Sequence, residues 1–226
     1  MKASIIVIFL CLIASCNKKD TCMDDVSKVF LKSYIIGYVD SSVSWEISQT
    51  NHLSGDISIN LSVIIDDFGK QVYRAPELGS EGENAQRFID AAEKNSDRSY
   101  NREDVFLSYM DRICSIDKFK MIKIICLNRN WDSNHPQGSD LGDIVTTHIL
   151  SYADYIRNHY VGESYHIIKK TVSELSLDDL AMFTVYGVNS PRFYFDVIPV
   201  PGKYEIQVTL LTCSGEERVV NCILII

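Results

Sequence analysis

The chain lacks most of the local patterns by which a sequence declares a chemistry. No C-x-x-C occurs, and no cysteine pair has zinc-finger spacing. The five histidines never form H-E-x-x-H, and none lies four residues from another. There is no glycine-rich phosphate loop. The nearest approach to a serine-nucleophile elbow, Gly138-Ser139-Asp140-Leu141-Gly142, has no spacer before the serine. These gaps lower the expectation of an enzyme without closing it, because catalytic groups can assemble from distant positions. Runs of lysine or arginine are also missing, and the formal net charge is −8. A phosphate-backbone partner needs a basic surface, so nucleic acid is not an expected partner.

A long apolar run is missing as well. The N-terminus reads MKASIIVIFLCLIASC: Lys2, then an apolar stretch from Ile5 to Ile13, then Ala14 and Ser15 before Cys16. A membrane-crossing helix needs roughly 20 apolar residues, so this stretch reads as a secretory signal rather than a permanent span. Ile13-Ala14-Ser15-Cys16 resembles the bacterial lipoprotein signal, an aliphatic and two small residues before a cysteine. The resemblance implies a signal peptide over 1–15, acylation of Cys16, and membrane lipid as a partner. Each buried CH₂ of an acyl chain contributes about 0.8 kcal/mol, so several chains moor a protein stably. Asn17 stands where aspartate would favour the inner membrane, so the same resemblance implies the outer membrane. Residues 16–30 are expected to be the lipidated cysteine and its tether, and 31–226 a single β-rich domain with helical insertions.

What remains is ordinary for a folded chain, with 46% hydrophobic and 23% charged residues. Without Cys11 and Cys16, five cysteines are left: Cys22, Cys114, Cys126, Cys213 and Cys222. An exported location permits disulfides, but the odd number leaves a thiol over and the pairing open. Free cysteines acting as small apolar side chains are the preferred reading.

Ile57, Ile59, Leu61, Val63 and Ile65 alternate, with Ser58, Asn60 and Ser62 between them, the signature of a half-buried strand. Weaker strands are expected over 34–39 and around Trp45-Glu46-Ile47. A loop is expected around residues 79–83, with a short helix from Asn84 to Ala92. Asn101 followed by Glu103 and Asp104 looks like a capped helix start, with Phe106, Tyr109, Met110 and Ile113 as its stripe. Phe119–Leu127 reads as a strand and 128–142 as a polar loop. Ile144, Val145, His148, Ile149, Tyr152 and Ile156 keep helical spacing. Ser176 and Asp179 suggest the capped start of a short helix. Phe193, Phe195 and Val197 alternate, as do Tyr204, Ile206, Val208 and Leu210. A hairpin at Ser214-Gly215-Glu216-Glu217 returns the chain along 218–226. A two-residue loop Gly215-Glu216 would set Cys222 opposite Thr209. The expected class is mostly β with helical insertions, on an antiparallel, immunoglobulin-like β-sandwich frame.

The busiest polar segment, Asn128 to Gly142, is the candidate ligand-binding loop, with Trp131, Asp132, Asn134 and His135 as its candidate residues. Asp132-x-Asn134 begins like a calcium loop, but Pro136 falls in the wrong place and no glutamate follows in register. No metal or cofactor is therefore expected. Loops on a rigid frame often carry function, and an exposed tryptophan would offer a stacking surface. The alternative is that Trp131 tucks under the loop and seals the sandwich edge, and tryptophan's burial habits favour it. Together with the lipoprotein-like N-terminus, the stretch WDSNHPQGSDLGD and the closing GKYEIQVTL hairpin resemble small lipoproteins of Bacteroidetes-type bacteria. That resemblance implies a β-rich envelope protein and carries no catalytic residues. The expected function is a non-enzymatic binding or accessory module at the cell envelope, with a glycan or an envelope protein as partner. The rivals are a glycan-binding lipoprotein of a polysaccharide-uptake system, with Trp45, Trp131, Tyr73 and Tyr100 as its candidate platform, and a hydrolase with a dispersed site.

Overall fold

A computed structural model describes residues 28–40, 43–51, 55–75, 82–105 and 112–226. Cys16 and residues 17–27 of its expected tether, Cys22 among them, most of the loop around 79–83 and the stripe Phe106-Tyr109-Met110 lie outside them, whereas the last expected tether residues, 28–30, belong to a strand. The protein is mostly β, with 42% strand and 14% helix, and the strands form several antiparallel sheets, with no closed barrel among the described residues.

The largest sheet has the order β10-β9-β11-β4-β3. It comprises β3 (Ser44–Asn51), β4 (Ile57–Ile64), β9 (Val145–Ser151), β10 (His166–Ile168) and β11 (Arg192–Phe195). A second sheet has the order β13-β12-β8, from β8 (Phe119–Cys126), β12 (Lys203–Thr212) and β13 (Glu217–Ile225). Both place one face in a single aliphatic core. Ile59 and Leu61 from β4 are fully buried there, as are Ile206, Val208 and Leu210 from β12. The period-two pattern thus does its expected work in both sheets: alternate side chains leave water for the core, and most of those between them stay partly or fully exposed, Ser58 excepted.

A third sheet, β5-β2-β7, runs through the molecule as a partition. It is built from β2 (Gly37–Val39), β5 (Val72–Arg74) and β7 (Ile113–Ser115), with β2 and β7 parallel. Val39, Val72 and Ile113 face the aliphatic core, whereas Tyr38, Tyr73 and Cys114 face a second core. Gly37 is required by this close packing, since a Cβ there would sit 2.9 Å from Val72 Cγ1. The second core is aromatic: Tyr34, Tyr38, Tyr73, Tyr152, Tyr155 and Tyr160 surround Phe88 and Ile156. The α-helices among the described residues are α1 (Phe68–Gln71), α2 (Glu83–Lys94) and α3 (Ala153–Arg157). Helix α2 buries Phe88, Ala91 and Ala92. A short ribbon joins β1 (Lys28–Leu31) to β6 (Arg102–Val105).

Several expectations are corrected. Residues 102–105 form a strand, not the start of a helix. Asn101 takes φ 43°, a left-handed conformation asparagine tolerates, and turns the chain into β6 rather than capping a helix. The segment 145–151 is also a strand, followed by the one-turn α3. Its buried positions are Val145, Thr147, Ile149 and Ser151, and the two polar members disguise the alternation. Both are satisfied: Thr147 Oγ1 donates to the Lys170 carbonyl at 3.1 Å and Ser151 Oγ to that of Ala181 at 2.7 Å. Of 34–39, only Gly37–Val39 joins a sheet. Ser176 and Asp179 make the reciprocal capping bonds, at 2.8 Å and 3.3 Å, around a single turn with no helix after it.

The last hairpin closes with three loop residues instead of two. Thr212 pairs with Glu216, the Gly215 N–H donates to the Thr212 carbonyl at 3.1 Å, and Gly215 takes φ 94°. That is a type I turn ending in a left-handed glycine. Cys222 consequently faces Ile206, not Thr209. Cys114, Cys126, Cys213 and Cys222 are all free thiols; the first two are buried, Cys222 is half-buried and Cys213 is exposed.

Candidate functional site

The segment 128–142 is the polar loop expected from the sequence, but its side chains are spent on holding it. Trp131 is only 2% exposed. Its indole stacks on Phe195 with centroids 4.6 Å apart, meets Tyr204 edge-on at 5.2 Å, and donates from Nε1 to the Val197 carbonyl at 2.9 Å. The ring therefore seals the rim of the aliphatic core and offers no face for stacking a ligand. Asp132 Oδ1 accepts the backbone N–H groups of Asn134 and His135 at 2.7 and 2.9 Å, an Asx-turn. His135, 8% exposed, lies between two carboxylates: Nδ1 is 2.9 Å from Asp132 and Nε2 is 3.0 Å from Asp143. Burial pulls the imidazole pKa down, but the bonds to Asp132 and Asp143 outweigh it and leave it raised. For Asp132, slight burial is opposed and overcome by the bonds from His135 and Asn134, and its pKa is lowered. Held at both ring nitrogens by a carboxylate, His135 acts as a clasp on the loop. Asn134, the fourth candidate, is exposed.

The expected aromatic platform is likewise dispersed. Trp45 packs against the aliphatic core, 5.9 Å edge-on to Phe119, and Trp131 belongs to that core, whereas Tyr73 and Tyr100 belong to the aromatic one. His148, expected on a helix, sits on β9 against Tyr194; burial, then Lys169 and Arg192, lowers its pKa. His159 follows α3 at φ 53°.

Two features had no signal in the sequence. The first is Asp97, fully buried directly after α2. Its Oδ1 accepts the Tyr34 N–H at 2.8 Å and the Tyr160 hydroxyl at 3.0 Å, and its Oδ2 accepts the Ile35 N–H at 2.8 Å. This carboxylate takes the amides that a longer β2 would have given to a sheet, which is why the strand starts only at Gly37. Burial raises the Asp97 pKa, and the bonds from Tyr34, Ile35 and Tyr160 and the charge of Arg112 pull it partly back. Arg112 in turn lies 4.6 Å over the Tyr34 ring, and Tyr100, Tyr152 and Tyr155 meet that ring edge-on. With every bond of the carboxylate directed inward, the cluster organises the aromatic core.

The second is a cleft of about 490 Å³ between β10, α3 and the turn 176–179. Three ion pairs line it, the longest being Arg157–Asp154 at 3.9 Å. Lys170 Nζ donates to both Asp179 oxygens at 2.9 and 2.8 Å, and Arg157 Nη2 to Asp178 at 3.0 Å. Slight burial of Asp179 is outweighed by Lys170 and Ser176, which lower its pKa. His166 and Lys169 also line the cleft, and neither has a hydrogen bond or ion pair within the described residues. A second cleft, about 360 Å³, lies beyond the Arg157–Asp178 pair and runs under Leu177 and Met182 toward Cys213. Asp179 takes the capping role expected of it with Ser176. Nothing local announced that Arg157, Lys169 and Lys170 would converge there. Among the described residues, no group of three His, Cys, Asp or Glu side chains is arranged to hold a metal.

No family model, no curated protein and no solved structure matches the chain.

Proposed function

We propose that the protein is an exported, lipid-anchored protein of the bacterial envelope, held at the outer membrane through Cys16, and that it works as a non-enzymatic binding or accessory module. The observation that carries this reading is the order Lys2, apolar 5–13, Ala14-Ser15-Cys16, in which a thiol stands where a lipoprotein signal is acylated. The frame fits an immunoglobulin-like sandwich in its chemistry: β4 and β12 belong to different sheets and bury alternate side chains in one core. The resemblance to small Bacteroidetes-type lipoproteins supports the same reading. On it, the tether ending near residue 30 leads into the β-rich part, and binding belongs to surfaces such as the β10 cleft rather than to the 128–142 loop. Intact mass of protein extracted from membranes tests the anchor. Acyl chains on Cys16, with release of Cys16→Ala into the soluble fraction, is the expected result. A Cys16→Ala protein as firmly membrane-bound as the parent would refute it.

A further inference from the structure

Register across the five-stranded sheet brings together basic side chains that lie far apart in the sequence. Arg192 on β11 pairs with His148 on β9 and with Asn60 on β4, and Asn60 pairs with Ser48 on β3. Ile168 on β10 opposes Ile149, and Thr171 bridges to Thr146, so Lys169, between them, stands opposite His148. Residues directly opposed on neighbouring strands share a face. Ile149 and Phe193, the chain neighbours of His148 and Arg192, are the ones turned into the aliphatic core. Lys169, His148, Arg192, Asn60 and Ser48 therefore form one row on the outer face of the sheet.

The basic end of that row holds no counter-charge. Neither Lys169 nor Arg192 makes an ion pair among the described residues, and Arg192 Nη2 donates to the Val188 carbonyl at 3.0 Å. His148 leans on the Tyr194 ring at 4.5 Å, and the charges that press on it are those of Lys169 and Arg192. Like charges on neighbouring strands repel, an arrangement that a bound anion relieves. Carboxylates stand around the row rather than in it, each accepting from a hydroxyl of the same face. Asp196 takes Thr146 Oγ1 at 2.7 Å, Glu174 takes Thr171 Oγ1 at 2.8 Å and Glu46 takes Ser62 Oγ at 3.2 Å.

We propose that Lys169, His148 and Arg192 bind the phosphate or sulfate group of a small polar ligand, whose uncharged part lies toward Asn60 and Ser48. A tetrahedral oxyanion presents oxygens in several directions and suits donors arriving from three segments. The guanidinium offers paired N–H groups and the ammonium a point charge. Neighbouring strands lie about 5 Å apart, so a group seated over His148 is within reach of both long side chains. The surrounding acids set the size of the ligand. An extended polyanion or an anionic bilayer laid over the row would meet Asp196, Glu174 and Glu46, whereas one small group would not.

Sulfate alone is the first probe, because it does not titrate near neutral pH, and proton NMR of the full chain is the readout. Sulfate should raise the pKa of His148, since a nearby negative charge favours imidazolium, and leave His135 unmoved. A hexose phosphate and a hexose sulfate are then compared with the free hexose. Binding of either ester at least tenfold tighter than the hexose supports the site and identifies the group it takes. Lys169→Gln and Arg192→Gln should each weaken that binding roughly tenfold, the worth of about one charge-assisted hydrogen bond, with the parental melting curve kept. Lys169 has no protein partner to lose, so its variant decides the matter even if Arg192→Gln disturbs the turn at Val188. A His148 unmoved by sulfate, equal binding by the parent and Lys169→Gln, or anionic phospholipid vesicles binding as tightly as the esters would each overturn the proposal. The test is independent of the lipid anchor: its failure would leave acylation of Cys16 standing, and an unacylated Cys16 would leave this site untouched.

Discussion

The two cores on either side of the β2-β5-β7 partition solve the same problem by different chemistry. The aliphatic core is built from alternation, with Ile59, Leu61, Ile206, Val208 and Leu210 drawn from two sheets. Its strength is spread over many similar contacts, each without direction. The aromatic core is built around one carboxylate. Tyrosines bring hydroxyls into the interior that need partners, and Asp97 supplies one to Tyr160 while also holding two backbone amides. Asn95 Nδ2 donates to Tyr38 Oη at 3.2 Å, and Arg87 Nη1 to Tyr73 Oη at 2.7 Å; Tyr73 itself donates to Asp40. One half is redundant and the other is keyed to a single residue. A distributed core tolerates local loss, while a keyed one fails as a unit.

The largest expected effect falls on the key. Asp97→Ala leaves two buried amides and a hydroxyl without their acceptor, removes the negative charge near Arg112, and should cost about 3–5 kcal/mol, read as a fall in the denaturant midpoint. Next come truncations in the aliphatic core: Ile59→Ala or Leu61→Ala should each cost about 2–5 kcal/mol. A change within about 0.5 kcal/mol, the range for surface sites, would deny their burial. Tyr160→Phe removes only one of the bonds to Asp97 and should cost about 0.5–1.5 kcal/mol. It would sharpen the comparison by showing how much of the key lies in the backbone amides.

The smallest effect is a pH dependence carried by the loop. The folded pKa of His135 is raised, so the clasp's contribution is complete below about pH 6.5, the ordinary imidazole value, and fades as pH rises through the folded value. Asp132 adds the opposite limit: its pKa is lowered, so its contribution is present above the unfolded carboxylate value and is lost as pH falls through the folded one. His135→Gln should flatten the high-pH side of the profile and leave the aliphatic core's midpoint nearly in place.

How much of this was legible depends on how local each cause is. The strands β4 and β12 were readable because alternation is a property of adjacent residues, and β8 because its run is apolar and rich in β-branched residues. The strand β9 was not, because Thr147 and Ser151 occupy buried positions and are satisfied by carbonyls 23 and 30 residues away. Ile144, Val145, His148 and Ile149 then matched a helical period by coincidence. Asn101 carried a real signal, a residue that leaves regular structure, but the sign was ambiguous between capping a helix and turning into β6. The loop's burial of Trp131 was legible because tryptophan is seldom left exposed. The Asp97 key had no signal, since its partners lie 62 and 63 residues away and an aspartate after a helix looks like an ordinary loop residue. The cleft was hidden for the same reason: Arg157, Lys169 and Asp178 meet only after three segments fold together.

Residue-resolved hydrogen exchange on Asp97→Ala compared with the parent tests the division between the halves most directly. A loss of about 3 kcal/mol confined to the aromatic half corresponds to exchange faster by roughly a hundredfold. The account predicts that acceleration at the amides of Tyr34, Ile35 and Tyr100, with Ile59, Leu61 and Val208 nearly unchanged. Equal acceleration in both halves, or none at Tyr34 and Ile35, would contradict it.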